Sequence, residues 1–251
     1  LLYRTVLPQD FLQIGGSLGV REVVVVEASP LVEDNQWLLD LAKDNQSILG
    51  VVGNLPVGDL EFRGNLEHFS KDPLFLGIRI RAEELQNAPP AYWDDLRFVA
   101  DQGLCLDMLA GPALLPDVLK LAETVPTLRL VINHLPCDAS VKASIRDASE
   151  GALEDLATWP NVFAKVSNIV RKVSDDLQVA ETYRAGLDYL WKTIGPNRLV
   201  YGSNWPVSDR IAPYTMVLDV LRQYLADKSP VHAEKFFWRN SRVAYDWEER
   251  A

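Results

Sequence analysis

The sequence predicts an α/β protein, a (β/α)₈ TIM barrel from which the first strand is missing. Seven short apolar runs are separated by amphipathic helical patterns, and successive runs begin 24 to 36 residues apart. Such alternation implies right-handed crossovers and a parallel sheet. The length of 251 residues suits one barrel of this kind, so we expect a single domain over residues 1–251.

The seven runs are rich in branched apolar residues and do not alternate strictly, which is typical of strands buried on both faces. They span residues 22–27, 48–54, 75–80, 104–109, 128–133, 162–167 and 198–203. Apolar residues at helical spacing predict helices over 32–44, 90–102, 116–124, 152–159, 180–194, 216–228 and 232–248. A doubly wound open sheet is the alternative, but no glycine-rich phosphate loop follows any of the runs.

Composition excludes several classes of function. The chain is 48% hydrophobic, its formal net charge is −10, and its longest basic cluster is Arg171 and Lys172. We therefore expect an ordered protein that binds no nucleic acid, because phosphate neutralisation needs clustered cations. No apolar run approaches the ~20 residues of a membrane helix. The two cysteines, Cys105 and Cys137, form no disulfide framework, so we expect a cytoplasmic protein without a membrane partner. Homo-oligomer formation is left open.

Three charged residues in the first half of the chain lie within or at the ends of predicted strands. Glu27 closes the VVVV run, Arg79 lies within FLGIRI and Asp107 within LCLDML. A charge in an apolar strand is costly unless it is paired or binds a ligand. We interpret Arg79 as a clamp for a substrate anion, Asp107 as a substrate-binding residue and Glu27 as a candidate base. The alternatives are a solvated strand end for Glu27 and a salt bridge from Asp107 to Arg79 or Arg81.

Polar residues also follow the later strands, where barrel enzymes carry their catalytic groups. His134 directly follows the run VIN and is placed to act as a metal ligand or a general base. Lys165 lies inside the next run and Asn168 just after it, and both are candidate substrate-binding residues. His68 and His232 lie in polar surroundings, so we assign them surface or capping positions.

The densest motif is YGSNWPVSD at residues 201–209. Its small residues allow the backbone to bend out of the strand, which would present Asn204 at the barrel mouth. Trp205 is placed to form the wall of a substrate pocket, and Asp209 is a second candidate base.

Several of these segments, taken in order, resemble motifs of the amidohydrolase-2 family. FLGIRI at 75–80 is similar to the strand-four GVR motif, and VINHLP at 131–136 to the strand-six VIDH motif. FAKVSN at 163–168 resembles KLSG, and LVYGSNWPVS at 199–208 resembles the strand-eight FGSDWPV motif. Residues 7–13 and the following VVVVEASPLVEDNQWLLDLA are similar to the first helix and second strand of that family. The resemblance implies a barrel in which water attacks the carbonyl of a small lactone or related compound.

The sequence departs from that family in two places. The family's first strand ends in a His-x-His pair, whereas no such pair occurs in this chain, which starts at Leu1 without Met. We therefore expect that the first strand belongs to a segment removed from upstream of Leu1. The usual strand-eight aspartate is replaced by Asn204, whose neutral amide cannot act as a general base and is a weak metal ligand.

The leading hypothesis is a hydrolase that acts on a small, anionic lactone or ester. His134 would polarise the carbonyl or bind a metal, Asn204 would orient the water, and Glu27 or Asp209 would act as the base. The resemblance implies a divalent metal such as zinc, with further ligands from the missing His-x-His pair, and otherwise no cofactor. The alternatives are a family decarboxylase or amide hydrolase with a bound metal, and a catalytically inactive barrel that binds a small molecule or a partner.

Overall fold

A computed structural model describes residues 4–27, 29–135, 151–170 and 179–250. Within these ranges seven parallel strands form one sheet, and their spatial order follows their order in the chain. They are β1 (Val23–Val26), β2 (Ile48–Gly53), β3 (Phe75–Arg81), β4 (Cys105–Leu109), β5 (Arg129–Asn133), β6 (Val162–Val166) and β7 (Leu199–Tyr201). In a barrel neighbouring strands follow one another in chain order, whereas in a doubly wound sheet the strand order reverses once. The barrel prediction is confirmed, and each strand ends within two residues of its predicted bounds.

The two edges of the sheet are β1 and β7. Among the described residues no strand pairs with the outer side of either edge. The four valines of β1 are half-buried, whereas β2 is buried along its whole length. The difference follows because β2 has a neighbour on each side and β1 has a single neighbour, as we expected for a barrel without its first strand.

Helices connect and cover the strands. They are α1 (Pro8–Gly15), α2 (Asp34–Asp44), α3 (Phe62–Phe69), α4 (Pro90–Asp101), α5 (Leu115–Thr124), α6 (Ala152–Leu156), α7 (Val179–Thr193), α8 (Tyr214–Ala226), α9 (Pro230–Glu234) and α10 (Asn240–Tyr245). A π-helical turn separates α9 from α10, so the helix predicted over 232–248 is interrupted and ends early. No described helix is long and apolar enough to cross a membrane.

Alternate residues of the strands belong to two different cores. Residues such as Leu106 and Ile132 pack with the helices in the main core, which is outside the barrel. Their neighbours Cys105 and Val131 belong to a smaller cluster that fills the barrel interior. The other members of the inner cluster are Leu49, Val52, Leu76, Phe163, Val200, Ala244, Tyr245 and Trp247.

The end of α10 and the segment that follows it close the N-terminal end of the barrel. Tyr245 and Trp247 enter the inner cluster and are buried. The Arg250 guanidinium then donates hydrogen bonds to the carbonyls of Ala42, Asn45 and Ile48, which surround the end of α2 and the start of β2. A cation is favourable there because the carbonyls at a helix C-terminus carry partial negative charge.

Replacement of Arg250 should destabilise the protein. We expect Arg250→Ala to lower the free energy of unfolding by about 1–3 kcal/mol, because hydrogen bonds to a charged group are stronger than neutral ones. Urea denaturation followed by circular dichroism measures this. Arg97→Ala, which removes an exposed ion pair with Asp94, is the control and should change stability by less than ~0.5 kcal/mol. Equal losses of unfolding free energy in the two variants would show that Arg250 stabilises the fold no more than an exposed ion pair does.

Candidate active site at the barrel mouth

Three consecutive strands leave the barrel through residues with left-handed backbone. His134 after β5, Asn168 after β6 and Asn204 after β7 have φ angles of 59°, 53° and 56°. Residues other than glycine rarely adopt this conformation, and asparagine tolerates it better than most. Strained residues of this kind cluster at functional sites. The backbone therefore singles out the same strand ends that the sequence predicts as the site.

His134 is oriented by a serine on the next strand exit. Its Nδ1 lies 2.7 Å from the Oγ of Ser167, which is buried. The Ser167 hydroxyl has a second contact, 3.5 Å from the carbonyl oxygen of Lys165, to which it can donate. With the hydroxyl proton on that side, Oγ accepts from Nδ1–H and the basic lone pair of the imidazole is on Nε2. Ser167 was not predicted as a site residue.

A buried cluster centred on Asp107 lies in the barrel, where Asp107 is the register partner of Val131. Lys165 Nζ donates to Asp107 Oδ2 at 2.6 Å, and Asn133 Nδ2 donates to the same oxygen at 3.2 Å. Tyr245 Oη donates to the other oxygen, Oδ1, at 2.8 Å. Asp107 is completely buried and Lys165 is 8% exposed. Asp107 thus pairs with Lys165, and the salt bridge to Arg79 or Arg81 that we weighed is wrong.

Tyr245 completes this cluster from the far end of the chain. Its ring lies under the Lys165 ammonium, with 5.3 Å between Nζ and the ring centroid. Burial, followed by the neighbouring Asp107 carboxylate, raises the pKa of Tyr245 well above its ordinary value. The phenol therefore keeps its proton and stays a donor to Asp107. Tyr245 is not among the residues that the sequence indicated for the site.

Arg79 and Glu27 form a second ion pair. Arg79 Nε donates to Glu27 Oε1 at 2.9 Å, and its Nη2 donates to the Glu27 carbonyl oxygen at 2.7 Å. Burial raises the pKa of the Glu27 carboxyl, and the Arg79 charge opposes that shift without cancelling it. Arg79 is the register partner of Asp107 across β3 and β4. The two ion pairs consequently lie side by side in the barrel.

The segment after β7 forms the opposite side of the mouth. Trp205 Nε1 donates to Asp209 Oδ2 at 2.8 Å, and the indole packs against Phe11 of α1 with ring centroids 5.4 Å apart. Asp209 therefore holds the indole in place. Asn204 is half-buried, and its carbonyl oxygen accepts from Ser208 N.

The predicted residues fall into two groups. Hydrogen bonds and register connect Glu27, Arg79, Asp107, Lys165 and His134 into one arc along β1 to β6. Asn168, Asn204, Trp205 and Asp209 lie on the exits of β6 and β7.

The two other histidines lie away from the strand ends. His68 is in the last turn of α3, and His232 in α9 packs against Trp191. Of the three histidines in the sequence, His134 alone follows a strand.

Comparison with known proteins gives one family. The family model described as amidohydrolase matches residues 1–247. The chain is 31% identical over 214 residues to an L-fucono-1,5-lactonase of Burkholderia ambifaria, which covers 82% of this chain and 72% of the relative. It is 28% identical over 148 residues to an L-rhamnono-gamma-lactonase of Scheffersomyces stipitis, covering 49% and 44% of the two chains.

The fold also matches a solved structure. An amidohydrolase from Burkholderia multivorans with bound zinc superimposes with a TM-score of 0.87 and 21% identity, over 98% of this chain and 90% of the other.

The described residues do not fit a zinc centre. Zinc in proteins needs three or four His, Cys or carboxylate ligands. Within the part of the chain that the structure describes, no group of three such residues lies close enough to hold a metal. His134 contacts Ser167, and the preceding residue, Asn133, is the register partner of Lys165. A buried ammonium such as that of Lys165 disfavours a nearby dication.

The buried ion pair predicts a strong coupling between its two members. We expect Asp107→Asn to lower the free energy of unfolding by about 3–5 kcal/mol, because it leaves the Lys165 ammonium buried without a counter-charge. The double variant Asp107→Asn/Lys165→Met should recover most of this loss, because it removes both charges. Denaturant titration of both single variants and the double variant measures the coupling. If the loss of unfolding free energy in the double variant equals the sum of the losses in the two single variants, the pairing is refuted.

Proposed function

The chain belongs to the amidohydrolase family, and we propose that it hydrolyses a small uncharged lactone. The observation that carries this proposal is the imidazole of His134, held at a strand exit by Ser167. A fixed histidine at the C-terminal mouth of a barrel is suited to general base catalysis. The names of the two lactonase relatives support the same bond type.

In the proposed reaction His134 Nε2 removes a proton from water as the water oxygen attacks the lactone carbonyl. The tetrahedral intermediate then collapses with cleavage of the ring C–O bond. The proton on His134 passes to the leaving ring oxygen, which gives a hydroxy acid. Ser167 acts as a positioning residue, because its bond to Nδ1 fixes the ring and leaves Nε2 basic.

An uncharged substrate agrees with the charges of the site. Arg79 and Lys165 were expected to clamp a substrate anion. Each is already paired with a carboxylate, Arg79 with Glu27 at 2.9 Å and Lys165 with Asp107 at 2.6 Å. A substrate carboxylate would have to compete with these internal partners, whereas a neutral lactone would not.

The remaining predicted residues take supporting roles in this proposal. Asn204 orients the attacking water by hydrogen bonding, since its amide cannot accept the proton. Trp205 forms a wall of the pocket, with Asp209 as the anchor of its indole, and Asn168 lines the exit of β6. Glu27 is the alternative general base to His134, because the raised pKa of its carboxyl favours proton uptake. We also propose a cytoplasmic location, supported by the free buried thiol of Cys105.

A catalytically inactive barrel is the second candidate. Asn204 favours this candidate, because the family's strand-eight motif FGSDWPV has an aspartate where this chain has the amide. The lactonase assay separates the two candidates, because an inactive barrel would bind a lactone without turnover.

His134 should be essential for lactone hydrolysis. We expect His134→Gln to lower kcat for L-fucono-1,5-lactone by about 10²–10⁴-fold, the contribution of a general base. Ring opening is followed by the acid that it releases, in weakly buffered solution. The matched controls are His68→Gln and His232→Gln, which should keep wild-type rates because both side chains lie on outer helices.

Three results would count against this assignment. If the His134 variant keeps its rate, another group is the base. If wild-type protein binds the lactone but does not open it, the inactive barrel is correct. If exhaustive dialysis against a chelator abolishes activity and zinc restores it, a metal acts in the reaction.

A further inference from the structure

One buried acceptor in the barrel has no donor. Asn133 is 1% exposed, and its Oδ1 has no hydrogen-bond partner among the described residues. A buried amide oxygen without a partner is energetically costly, because it has lost its hydrogen bonds to water. Bulk water does not reach this atom, so its hydrogen-bonding capacity is unused among the described residues.

The orientation of the Asn133 amide is determined by Asp107. Nδ2 donates to the carboxylate oxygen Oδ2 at 3.2 Å. The flipped amide would place Oδ1 against that carboxylate, two acceptors facing each other. Oδ1 is therefore turned away from the Asp107 carboxylate.

The Lys165 ammonium lies beside Asn133 and has unused donors. The two residues are register partners on β5 and β6, and both donate to the same oxygen of Asp107. An ammonium has three N–H groups, and the described contacts are one hydrogen bond to Asp107 and the ring of Tyr245. The unpaired acceptor, Asn133 Oδ1, thus belongs to a residue that adjoins Lys165, whose ammonium has N–H groups without an acceptor among the described contacts.

A hydroxyl group matches this pair, because it accepts one hydrogen bond and donates another. We propose that Asn133 and Lys165 form a hydroxyl-binding subsite at the floor of the barrel mouth, which makes Asn133 a specificity-determining residue for lactones with ring hydroxyls. The subsite rests on the proposed function only in assuming that the ligand is a lactone. His134 directly follows Asn133 in the chain, which places the subsite next to the reacting centre.

The subsite should reject a lactone that lacks the matching hydroxyl. Such a ligand leaves both Asn133 Oδ1 and the Lys165 donors unpaired in a buried place. Sites built to hydrogen-bond a hydroxyl discriminate strongly against analogues without it, whereas apolar pockets discriminate weakly.

The test compares L-fucono-1,5-lactone with its monodeoxy analogues in wild-type protein and in Asn133→Leu. In wild-type protein we expect one deoxy analogue to lose about 10²-fold or more in kcat/KM. In Asn133→Leu the parent lactone should lose about 10–100-fold, while that analogue changes by less than about threefold. Asn133→Ala is the second variant if the leucine does not fit.

The matched control is Asn240→Ala. Asn240 is also buried, and its amide donates to the carbonyls of Pro196 and Leu199 near the start of β7. This variant should affect all lactones by the same factor. Equal losses for parent and deoxy lactones in the Asn133 variants would mean that Asn133 binds an internal water only, and would overturn the subsite.

Binding without turnover separates this inference from the proposed reaction. Calorimetric titration uses 1,5-anhydro-L-fucitol, which keeps the ring hydroxyls but has no carbonyl to hydrolyse. Weaker binding to Asn133→Leu by about tenfold or more supports the subsite even if the protein opens no lactone. Unchanged binding, or no binding to either protein, overturns it.

Discussion

The carboxylate of Asp107 is the constraint on which the rest of the barrel interior depends. It is fully buried, and a buried charge persists only when it is paired and its oxygens accept hydrogen bonds. One oxygen takes the phenol of Tyr245, and the other takes Lys165 and Asn133. These three donors come from β5, β6 and the end of α10. One side chain therefore fixes the relative position of distant parts of the chain.

The same arrangement controls the electrostatics of the mouth. Two internal ion pairs lie next to each other, and each pairs one cation with one anion. Their fields largely cancel, so the mouth is polar without a strong net charge from these groups. Such a site recognises ligands by directed hydrogen bonds more than by attraction of opposite charge. The neutral amides of Asn133 and Asn204 belong to the same pattern, because an aspartate at either position would add negative charge to the mouth.

The sequence was sufficient for the strands, because they depend on local signals, and it also indicated candidate site residues, which stay predictions. Apolar runs predicted all seven strands, and polar residues at their ends predicted His134, Lys165 and Asn204. Helix α3 was missed, although Phe62, Leu66 and Phe69 follow helical spacing and are all buried. The apolar residues are few and lie among charged ones, which obscured the pattern.

Partner choice could not be predicted from the sequence. The sequence allowed a salt bridge from Asp107 to Arg79 or Arg81, whereas the observed partner is Lys165. The pairing depends on strand register and side-chain reach, which the sequence does not show. Tyr245 had no local signal at all, since it lies among aromatic residues typical of packing. Ser167 was part of a quoted motif, yet nothing in the motif indicates a bond to the histidine at the exit of the preceding strand.

The position of Tyr245 in the chain has a consequence for how the protein is made. Asp107 and Tyr245 are 138 residues apart, and all seven strands precede the tyrosine. During synthesis the strands emerge from the ribosome before the donor that one oxygen of Asp107 requires. The nascent barrel must therefore hold an incompletely paired carboxylate in its interior until α10 arrives. Assembly of the polar interior is thereby postponed to the end of translation, because it needs a contact between residues far apart in the sequence.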